Sequence, residues 1–394
     1  MLADRSISSI NTPRGRGTGL ALTNRFESVA ISIDGEYVDH ALAAEVAERN
    51  AERAAGLHEG EQDGRAPVTL QDILDEETKV TTRVFVDQTK SVIVRVDSPD
   101  LGMQWSLNPY RGCEHGCIYC YARPGHEYLG LNCGIDFETK VFAKPNAPEL
   151  LRRELAKPGW KAESISVSGV TDCYQPIERT LRITRACMEV MLACRQPVTI
   201  VTKNHLVTRD IDLFREFARW NGVRVALSLT SLDADLARKM EPRASTPRDR
   251  LRAMRELADA GVPVTVMTAP LIPALNDREL PALLEAAAAH GATTAGYTFV
   301  RLPWQIKELF LEWLQRHYPQ RAAHVESLIR QSRGGKLYKA DFGTRMKGAG
   351  IFAEQLGQTF KVFTKRYGLN TGARVPLNSA LFRAPSLDGQ MGLF

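Results

Sequence analysis

Residues 108–121 of the chain read NPYRGCEHGCIYCY, and this stretch decides the fold. It contains the spacing C-x3-C-x2-C, formed by Cys113, Cys117 and Cys120, next to a strand predicted at about Trp105 to Tyr110. Three closely spaced thiolates on one loop can each bind one iron of a cubane and leave the fourth iron without a protein ligand. The spacing therefore predicts a [4Fe-4S] cluster with one open iron.

A structural zinc site is the alternative interpretation of the same motif. Cys133, His115 or His126 would complete the tetrahedron that zinc requires. Such a site would make the chain a noncatalytic zinc-stabilised DNA-binding module. However, zinc sites usually pair C-x2-C with a second pair far along the chain, and the sequence has no second pair. Gly112 and Gly116 also suit a loop that wraps around a cluster, because glycine reaches positive φ freely.

The composition agrees with a globular protein of a reducing compartment. With 44% hydrophobic and 25% charged residues, the chain has an ordinary balance, and no run of residues reaches the 18 or so apolar positions of a membrane helix. Seven cysteines, three of them within eight residues, do not resemble a secreted disulfide framework. We expect a cytoplasmic protein without membrane contact.

The pattern along the chain divides it into four segments. Residues 1–75 are polar and are predicted to be largely disordered, apart from a short hairpin around Asp34-Gly35. Residues 76–315 form the predicted core. Residues 316–375 are predicted as a basic helical C-terminal extension, and residues 376–394 as a flexible tail.

The core shows short β-branched runs that alternate with amphipathic stretches, which is typical of βα units around a parallel sheet. After the first strand, further strands are predicted at Ser164–Ser168, Val198–Thr202, Arg224–Leu229, Pro263–Ala269 and Thr293–Val300. Helices are predicted at Arg179–Ala193, Asp210–Trp220, Arg248–Ala260 and Asp277–His290, with Gly222, Gly261 and Gly291 as C-caps. Six units predict an α/β fold with a partial (β/α)6 TIM-like barrel, with a doubly wound open sheet as the alternative.

The sequence resembles the radical S-adenosylmethionine (SAM) superfamily, whose defining motif is C-x3-C-x-aromatic-C, with Tyr119 in the aromatic place. It is most similar to the spore photoproduct lyase-related, DNA repair photolyase-like branch. The resemblance covers about residues 80–350. Its matching stretches are Asn108–Cys120, Ala122-Arg123-Pro124 with His126, Asp136-Phe137-Glu138, Thr171–Glu178, Thr202-Lys203, Glu241-Pro242-Arg243 and Arg301-Leu302-Pro303.

The resemblance implies a radical SAM enzyme with a [4Fe-4S] cluster and S-adenosyl-L-methionine as cofactors. SAM would chelate the open iron and be cleaved reductively to methionine and a 5'-deoxyadenosyl radical, which abstracts hydrogen from the substrate. A low-potential electron donor of the flavodoxin or ferredoxin type would supply the electron. The implied substrate is nucleic acid, as in DNA repair by a lyase, with a protein or small molecule as the alternative.

The resemblance also implies roles for individual residues. The metal ligands are Cys113, Cys117 and Cys120, and the residues expected to contact SAM are Tyr119, Thr171, Asp172, Lys203, Ser228 and Arg243. Spore photoproduct lyase carries a cysteine hydrogen donor at the place where this chain has Gly169. Cys173, Tyr121 and Tyr174 are therefore the alternative hydrogen donors, and repair of thymine dimers by the same chemistry is in doubt.

The C-terminal part of the chain predicts two further contacts. Residues 301–374 carry 14 Lys/Arg against 5 Asp/Glu, interleaved with aromatic residues, which indicates a nucleic-acid face or a set of amphipathic helices. The last five residues, Gln390 to Phe394, resemble the peptide that binds the bacterial sliding clamp, which would recruit the protein to DNA.

Overall fold

The computed structural model describes residues 13, 15–22, 24–26, 47, 48, 51, 80–373 and 375–386. The hairpin predicted around Asp34-Gly35 and the peptide Gln390 to Phe394 lie outside the described residues. In the described residues, no helix is both long and apolar enough to cross a membrane.

The described residues form ten strands. These are β1 (Arg83–Val86), β2 (Ile93–Arg95), β3 (Trp105–Leu107), β4 (Tyr110–Arg111), β5 (Lys140–Ala143), β6 (Ile165–Val167), β7 (Val198–Thr202), β8 (Val223–Ser228), β9 (Val264–Leu271) and β10 (Thr294–Phe299). Strand β7 begins and ends as predicted, and the other core strands are shifted or shortened by one to three residues at their ends.

The main sheet has the strand order β10-β9-β8-β7-β6-β3-β2. Six of its strands, β3 and β6 to β10, are parallel and adjacent in chain order, and only the edge strand β2 is antiparallel. A doubly wound sheet would reverse its order part-way, so the sequential order confirms the partial (β/α)6 arrangement. The carboxyl ends of these strands therefore meet on one side, where parallel barrels place their active sites.

Eleven α-helices accompany these strands in the described residues. They are α1 (Ile135–Thr139), α2 (Ala147–Leu155), α3 (Glu178–Leu181), α4 (Ile183–Ala193), α5 (Ile211–Ala218), α6 (Ala234–Met240), α7 (Pro247–Asp259), α8 (Leu280–Ala289), α9 (Ile306–His317), α10 (Pro319–Gln331) and α11 (Ile351–Arg366).

The four predicted helices correspond to α3 with α4, α5, α7 and α8, with ends shifted by up to three residues, and the structure differs from the prediction in two further respects. The predicted helix Arg179–Ala193 is divided into α3 and α4, because Arg182 adopts a left-handed conformation with φ 53°. Gly261 and Gly291 take the left-handed C-cap conformation with φ 77° and 90°, as predicted. After α5, however, Asn221 takes that conformation instead of Gly222, with φ 55°. Asparagine tolerates the left-handed region better than other residues with a side chain, which accounts for the shift.

A second, small sheet presents the cysteine motif. It has the order β1-β5-β4, with β4 antiparallel to β5. The cysteine loop, residues 112–120, leaves directly from the end of β4 and is followed by the 3-10 helix Arg123–Leu129.

The described residues 15–22 and 24–26, which we call the N-terminal strap, lie against this second sheet and its loop. The Leu20 carbonyl accepts a hydrogen bond of 3.1 Å from the Ile135 amide at the start of α1. The Asn24 side chain donates a hydrogen bond of 3.0 Å to the Glu127 carbonyl. The strap lies within the segment predicted to be largely disordered, most of which falls outside the described residues.

Aromatic residues of the C-terminal extension pack on the sheet. The rings of Phe360 and Tyr297 have centroids 4.7 Å apart, and those of Phe352 and Phe299 6.4 Å apart. These rings of α11 therefore stabilise the fold, as the amphipathic-helix interpretation expected, while Phe342 is 57% exposed.

Candidate active site

The cysteine loop is held by its backbone. Gly112 and Gly116 have φ 79° and 68°, so both glycines adopt the positive φ that the sequence predicted. The Cys113 amide donates to the Phe137 carbonyl at 2.9 Å, and the Ile118 amide donates to the Met240 carbonyl at 3.0 Å. These bonds anchor the loop between α1 and the end of α6.

All three cysteines of the loop are free thiols, with Cys113 and Cys117 buried and Cys120 half-buried. They lie close enough to influence one another. Burial raises the pKa of Cys117 well above its ordinary value, with Glu241 and the neighbouring thiols adding to it and Lys203 opposing it. Burial also raises the pKa of Cys120, which Arg123 opposes. Binding of a metal to these sulfurs therefore releases protons.

This donor set fits an iron–sulfur cluster. Three thiols that converge from one buried loop match the ligands of a cubane, in which each cysteine binds a different iron. Among the described residues, no group of three or more His, Cys, Asp or Glu side chains could hold a single metal ion. Cys133, named with His115 and His126 for the zinc alternative, is buried and free.

A buried ion pair lies beneath the loop. Arg123 Nη2 and Glu138 Oε1 are 2.6 Å apart, and neither side chain is exposed. Arg123 also donates to the carbonyls of Cys117 at 3.0 Å and Gly134 at 2.8 Å. Sequence analysis assigned these two residues no role beyond the resemblance, because nothing in their local spacing indicates that they pair.

The N-terminal strap completes this network. The Gly17 amide donates to Glu138 Oε2 at 2.8 Å, and Arg16 donates to the Glu138 carbonyl at 2.8 Å. A Cβ atom added to Gly17 would lie 1.9 Å from the Gly116 carbonyl oxygen, so only glycine fits at this position. The strap is thus in direct contact with the loop that carries the cysteines.

Asp172, predicted to contact SAM, binds the ends of two neighbouring segments. Its Oδ1 accepts from Thr202 Oγ1 at 2.7 Å, and its Oδ2 accepts from the Lys203 amide at 2.8 Å. His115 Nδ1 lies 3.3 Å from the same Oδ2. Although burial opposes it, the Asp172 carboxylate raises the pKa of His115 to about 10. Asp172 therefore ties the cysteine loop to the end of β7.

Tyr119 and Lys203 meet at Glu241. The Tyr119 hydroxyl donates to Glu241 Oε1, which also accepts from Thr230 Oγ1 at 2.6 Å. Lys203 Nζ lies 3.9 Å from the same carboxylate, which Arg250 binds as well. Burial alone would raise the pKa of Glu241, but Arg250 and Lys203 lower it to about 2. Sequence analysis named Glu241 only as part of a stretch that carries the resemblance, and it did not identify Arg250, because the sequence does not show which acids and bases are buried together.

The remaining predicted SAM contacts have partners within the chain. Thr171 Oγ1 donates to the Gly112 carbonyl at 2.7 Å, which fixes the start of the cysteine loop. Arg243 Nη2 donates to Glu114 Oε1 at 2.9 Å. Ser228 is buried at the end of β8. These residues and the cysteine loop therefore meet at the carboxyl ends of the strands.

The three predicted hydrogen donors have different surroundings. Cys173 is fully buried, with its sulfur 3.7 Å from the Val167 carbonyl. Tyr174 is also fully buried, and its hydroxyl donates to Asp210 Oδ2 at 3.0 Å. Tyr121 is 46% exposed, and its hydroxyl donates to the Gly169 carbonyl at 2.5 Å. Of the three, Tyr121 alone is open to a substrate.

Comparison with protein families gives one match to this region. Residues 107–287 match the model described as the radical SAM superfamily. That range includes the cysteine loop and the strands from β6 to β9.

Among curated proteins, an uncharacterized protein of Mycobacterium tuberculosis strain H37Rv is 36% identical over 245 residues, which covers 61% of this chain and 72% of the relative. An uncharacterized protein of Methanocaldococcus jannaschii is 29% identical over 222 residues, covering 56% of this chain and 78% of the relative.

Among solved structures, spore photoproduct lyase complexed with dinucleoside spore photoproduct superimposes with a TM-score of 0.54 at 17% identity. A mutant of that enzyme with bound AdoMet and dinucleoside spore photoproduct gives a TM-score of 0.54 at 16% identity. Each match covers 85% of this chain and 95% of the other. The likeness shows a shared fold.

Proposed function

Because the chain belongs to the radical SAM superfamily, it is a radical SAM enzyme, and we propose that its substrate is nucleic acid. The cofactors of this superfamily are a [4Fe-4S] cluster and SAM. When bound, they supply an electron and a carbon-centred radical that removes hydrogen from the substrate. The chain itself supplies the position of the reactants and excludes water.

We assign the cluster to Cys113, Cys117 and Cys120 on the basis of their spacing, their full or partial burial and their proximity to one another. Tyr119, Thr171, Asp172, Lys203, Ser228 and Arg243 remain the proposed SAM-facing residues. Their mutual bonds support a positioning role for several of them. Lys203, for example, is held between the Asp172 carboxylate at its amide and Glu241 near its ammonium group. Such fixed polar groups can orient a charged cofactor without reorganising.

The observation that carries the nucleic-acid substrate is an exposed surface of aromatic rings and arginine beside the cysteine loop. Arg25 lies over the ring of Trp304 at 4.4 Å and over that of Phe26 at 5.4 Å. The rings of Phe26 and Tyr128 are 5.2 Å apart. Trp304 is 56% exposed and Tyr128 75%. Exposed rings of this kind stack on unpaired bases, at about 1–3 kcal/mol per base.

Glu127 binds two residues of this aromatic surface. Arg25 Nε lies 2.5 Å from Glu127 Oε2, and Gln305 donates to the other oxygen of Glu127 at 2.6 Å. Because Glu127 is buried, its carboxylate holds Arg25 against these rings. Tyr128 follows the cysteine loop by only a few residues, so bases stacked here would lie near the site.

The experiment is fluorescence anisotropy with a labelled single-stranded oligonucleotide. We expect salt-dependent binding that weakens in Trp304→Ala and Tyr128→Ala and is unchanged in Ile351→Ala, a control at an exposed position of α11. Absence of saturable binding by the wild-type protein would refute a nucleic-acid substrate and favour a protein or small molecule.

A second measurement tests the cluster itself. After anaerobic reconstitution with iron and sulfide, we expect the reduced protein to give an electron paramagnetic resonance signal that shifts on addition of SAM. Cys117→Ala should lose the signal. A colourless, air-stable protein that binds zinc would contradict this assignment and support the alternative interpretation, a noncatalytic zinc-stabilised module.

We also propose the partners that the sequence predicted. These are a flavodoxin- or ferredoxin-type reductant, which implies a cytoplasmic location, and the bacterial sliding clamp, bound by Gln390 to Phe394. A labelled peptide of residues 380–394 should bind the clamp saturably, and the same peptide without its last two residues is the control. Equal binding of the two peptides would refute the clamp proposal.

A further inference from the structure

Two arginines lie next to each other at the end of the last core strand, β10. The Arg301 guanidinium lies over the Tyr121 ring, 5.1 Å from its centroid, and Nη1 is 3.5 Å from the Met346 sulfur. Arg333 is only 2% exposed. Its terminal nitrogens donate to the carbonyls of Thr344 at 3.2 Å and Val300 at 2.9 Å. Both positive charges therefore stand beside the proposed site.

No carboxylate neutralises these two charges among the residues described. Neither Arg301 nor Arg333 forms an ion pair there, and the Nε of each is buried without a hydrogen-bond partner. The charge of Arg301 helps to lower the pKa of Asp100. The Asp100 carboxylate, however, is bound by Arg345 Nε at 2.5 Å and by the Gly343 amide at 2.7 Å. Burial, together with repulsion from Arg301, lowers the pKa of Arg333 to about 10.

An arrangement of this kind is costly unless an anion completes it. A buried charge without a partner destabilises a fold, and two adjacent like charges add to the cost. Two other buried arginines of the described residues are each paired with a carboxylate. Arg123 binds Glu138, and Arg250 binds Glu241. The adjacent arginines Arg301 and Arg333, whose charges repel each other, thus point to a ligand that carries the missing negative charge.

We propose that Arg301, with the buried charge of Arg333 behind it, forms a phosphate site, which binds a backbone phosphate of the nucleic-acid substrate beside Tyr121. This inference rests on the proposed function. A phosphodiester remains anionic at every physiological pH, and its oxygens match the planar fork of a guanidinium. The Tyr121 ring already holds Arg301 in position, so binding requires little rearrangement. The phosphate site would place the adjoining nucleotide next to the exposed Tyr121 hydroxyl.

The first test measures how binding of a labelled oligothymidylate depends on salt. Loss of one phosphate contact from a single strand reduces the slope of log K against log salt by about 0.7. We expect that reduction in Arg301→Gln and a wild-type slope in Arg219→Gln, a control that pairs with Glu216 on the surface of α5. An unchanged slope in Arg301→Gln would overturn the phosphate site while leaving nucleic-acid binding intact.

The second test uses inorganic phosphate and needs no nucleic acid. A ligand that binds only the folded protein raises its melting temperature. At matched ionic strength, phosphate should stabilise the wild type and Arg219→Gln more than chloride does, but not Arg301→Gln. Equal stabilisation of all three proteins would overturn the phosphate site. Stabilisation by phosphate through Arg301, without any oligonucleotide binding, would support the anion site and refute the nucleic-acid substrate.

Discussion

Arg123 and Glu138 form an ion pair beneath the cysteine loop from which water is excluded, with 2.6 Å between Nη2 and Oε1. We expect Glu138→Gln to reduce the free energy of unfolding by about 3–5 kcal/mol, because it leaves a buried guanidinium without its counter-ion. Chemical denaturation of the cluster-free protein measures this change.

The matched control is Glu149→Gln. Glu149 pairs with Arg153 one turn along α2, and both side chains are more than half exposed. An exposed pair of this kind contributes about 0.3–0.5 kcal/mol. Similar losses of unfolding free energy in the two variants would show that the Arg123–Glu138 pair does not stabilise the cysteine loop.

Gly17→Ala should displace the N-terminal strap. The new methyl group would overlap the Gly116 carbonyl, and overpacking of this kind costs about 1–3 kcal/mol. We expect faster proteolysis of residues 15–26 and a lower iron content after reconstitution. Gly125→Ala is the control, since its Cβ would meet nothing within 4 Å. If Gly17→Ala retained the iron content of the wild type, docking of the strap would not be needed for cluster binding.

Tyr121→Phe and Tyr174→Phe should have opposite effects. Tyr121 is exposed, so loss of its hydroxyl should leave stability and iron content unchanged. It should reduce the amount of 5'-deoxyadenosine that forms in the presence of the oligonucleotide. Tyr174→Phe removes a buried donor from Asp210 and should cost about 1–3 kcal/mol of stability. Normal turnover by Tyr121→Phe would exclude Tyr121 as the hydrogen donor.

The bond between Asp100 and Arg345 predicts a pH dependence of stability. The hydrogen bond from the Gly343 amide, assisted by Arg345, holds the pKa of Asp100 below its ordinary value of 3.8. The ionised Asp100 carboxylate therefore stabilises the fold fully above pH 3.8, and this stabilisation is lost as the pH falls through the lowered pKa. We expect Asp100→Asn to melt below the wild type at pH 7, with the difference shrinking in strong acid. A difference independent of pH would assign the effect to packing.

The core could be predicted from the sequence because its signals are local. A β-branched run such as Val198–Thr202 specifies its own strand, and the strand occupies that range in the structure. The positive φ values of Gly112 and Gly116 follow from the need of a tight loop for glycine. The cysteine spacing likewise lies within a single loop.

The supports of the site could not be predicted, because they join distant parts of the chain. Glu241 binds Tyr119, Thr230 and Arg250, and although it lies in a stretch that carries the resemblance, nothing near it in the sequence identifies these partners. Similarly, Gly17 lies in the polar segment that the composition predicts to be largely disordered. Its fit against Gly116 depends on a contact that only the folded chain makes.

The contact between the strap and the loop also constrains the order in which the protein matures. Gly17 meets Glu138 across 121 positions of sequence, so this contact closes a long stretch of chain. Contacts of such separation form late, because the entropy of closing the loop must be overcome first. During synthesis the cysteines leave the ribosome before Glu138 does, and therefore before the strap can dock against their loop. We expect the cluster to enter the loop most readily before the strap docks.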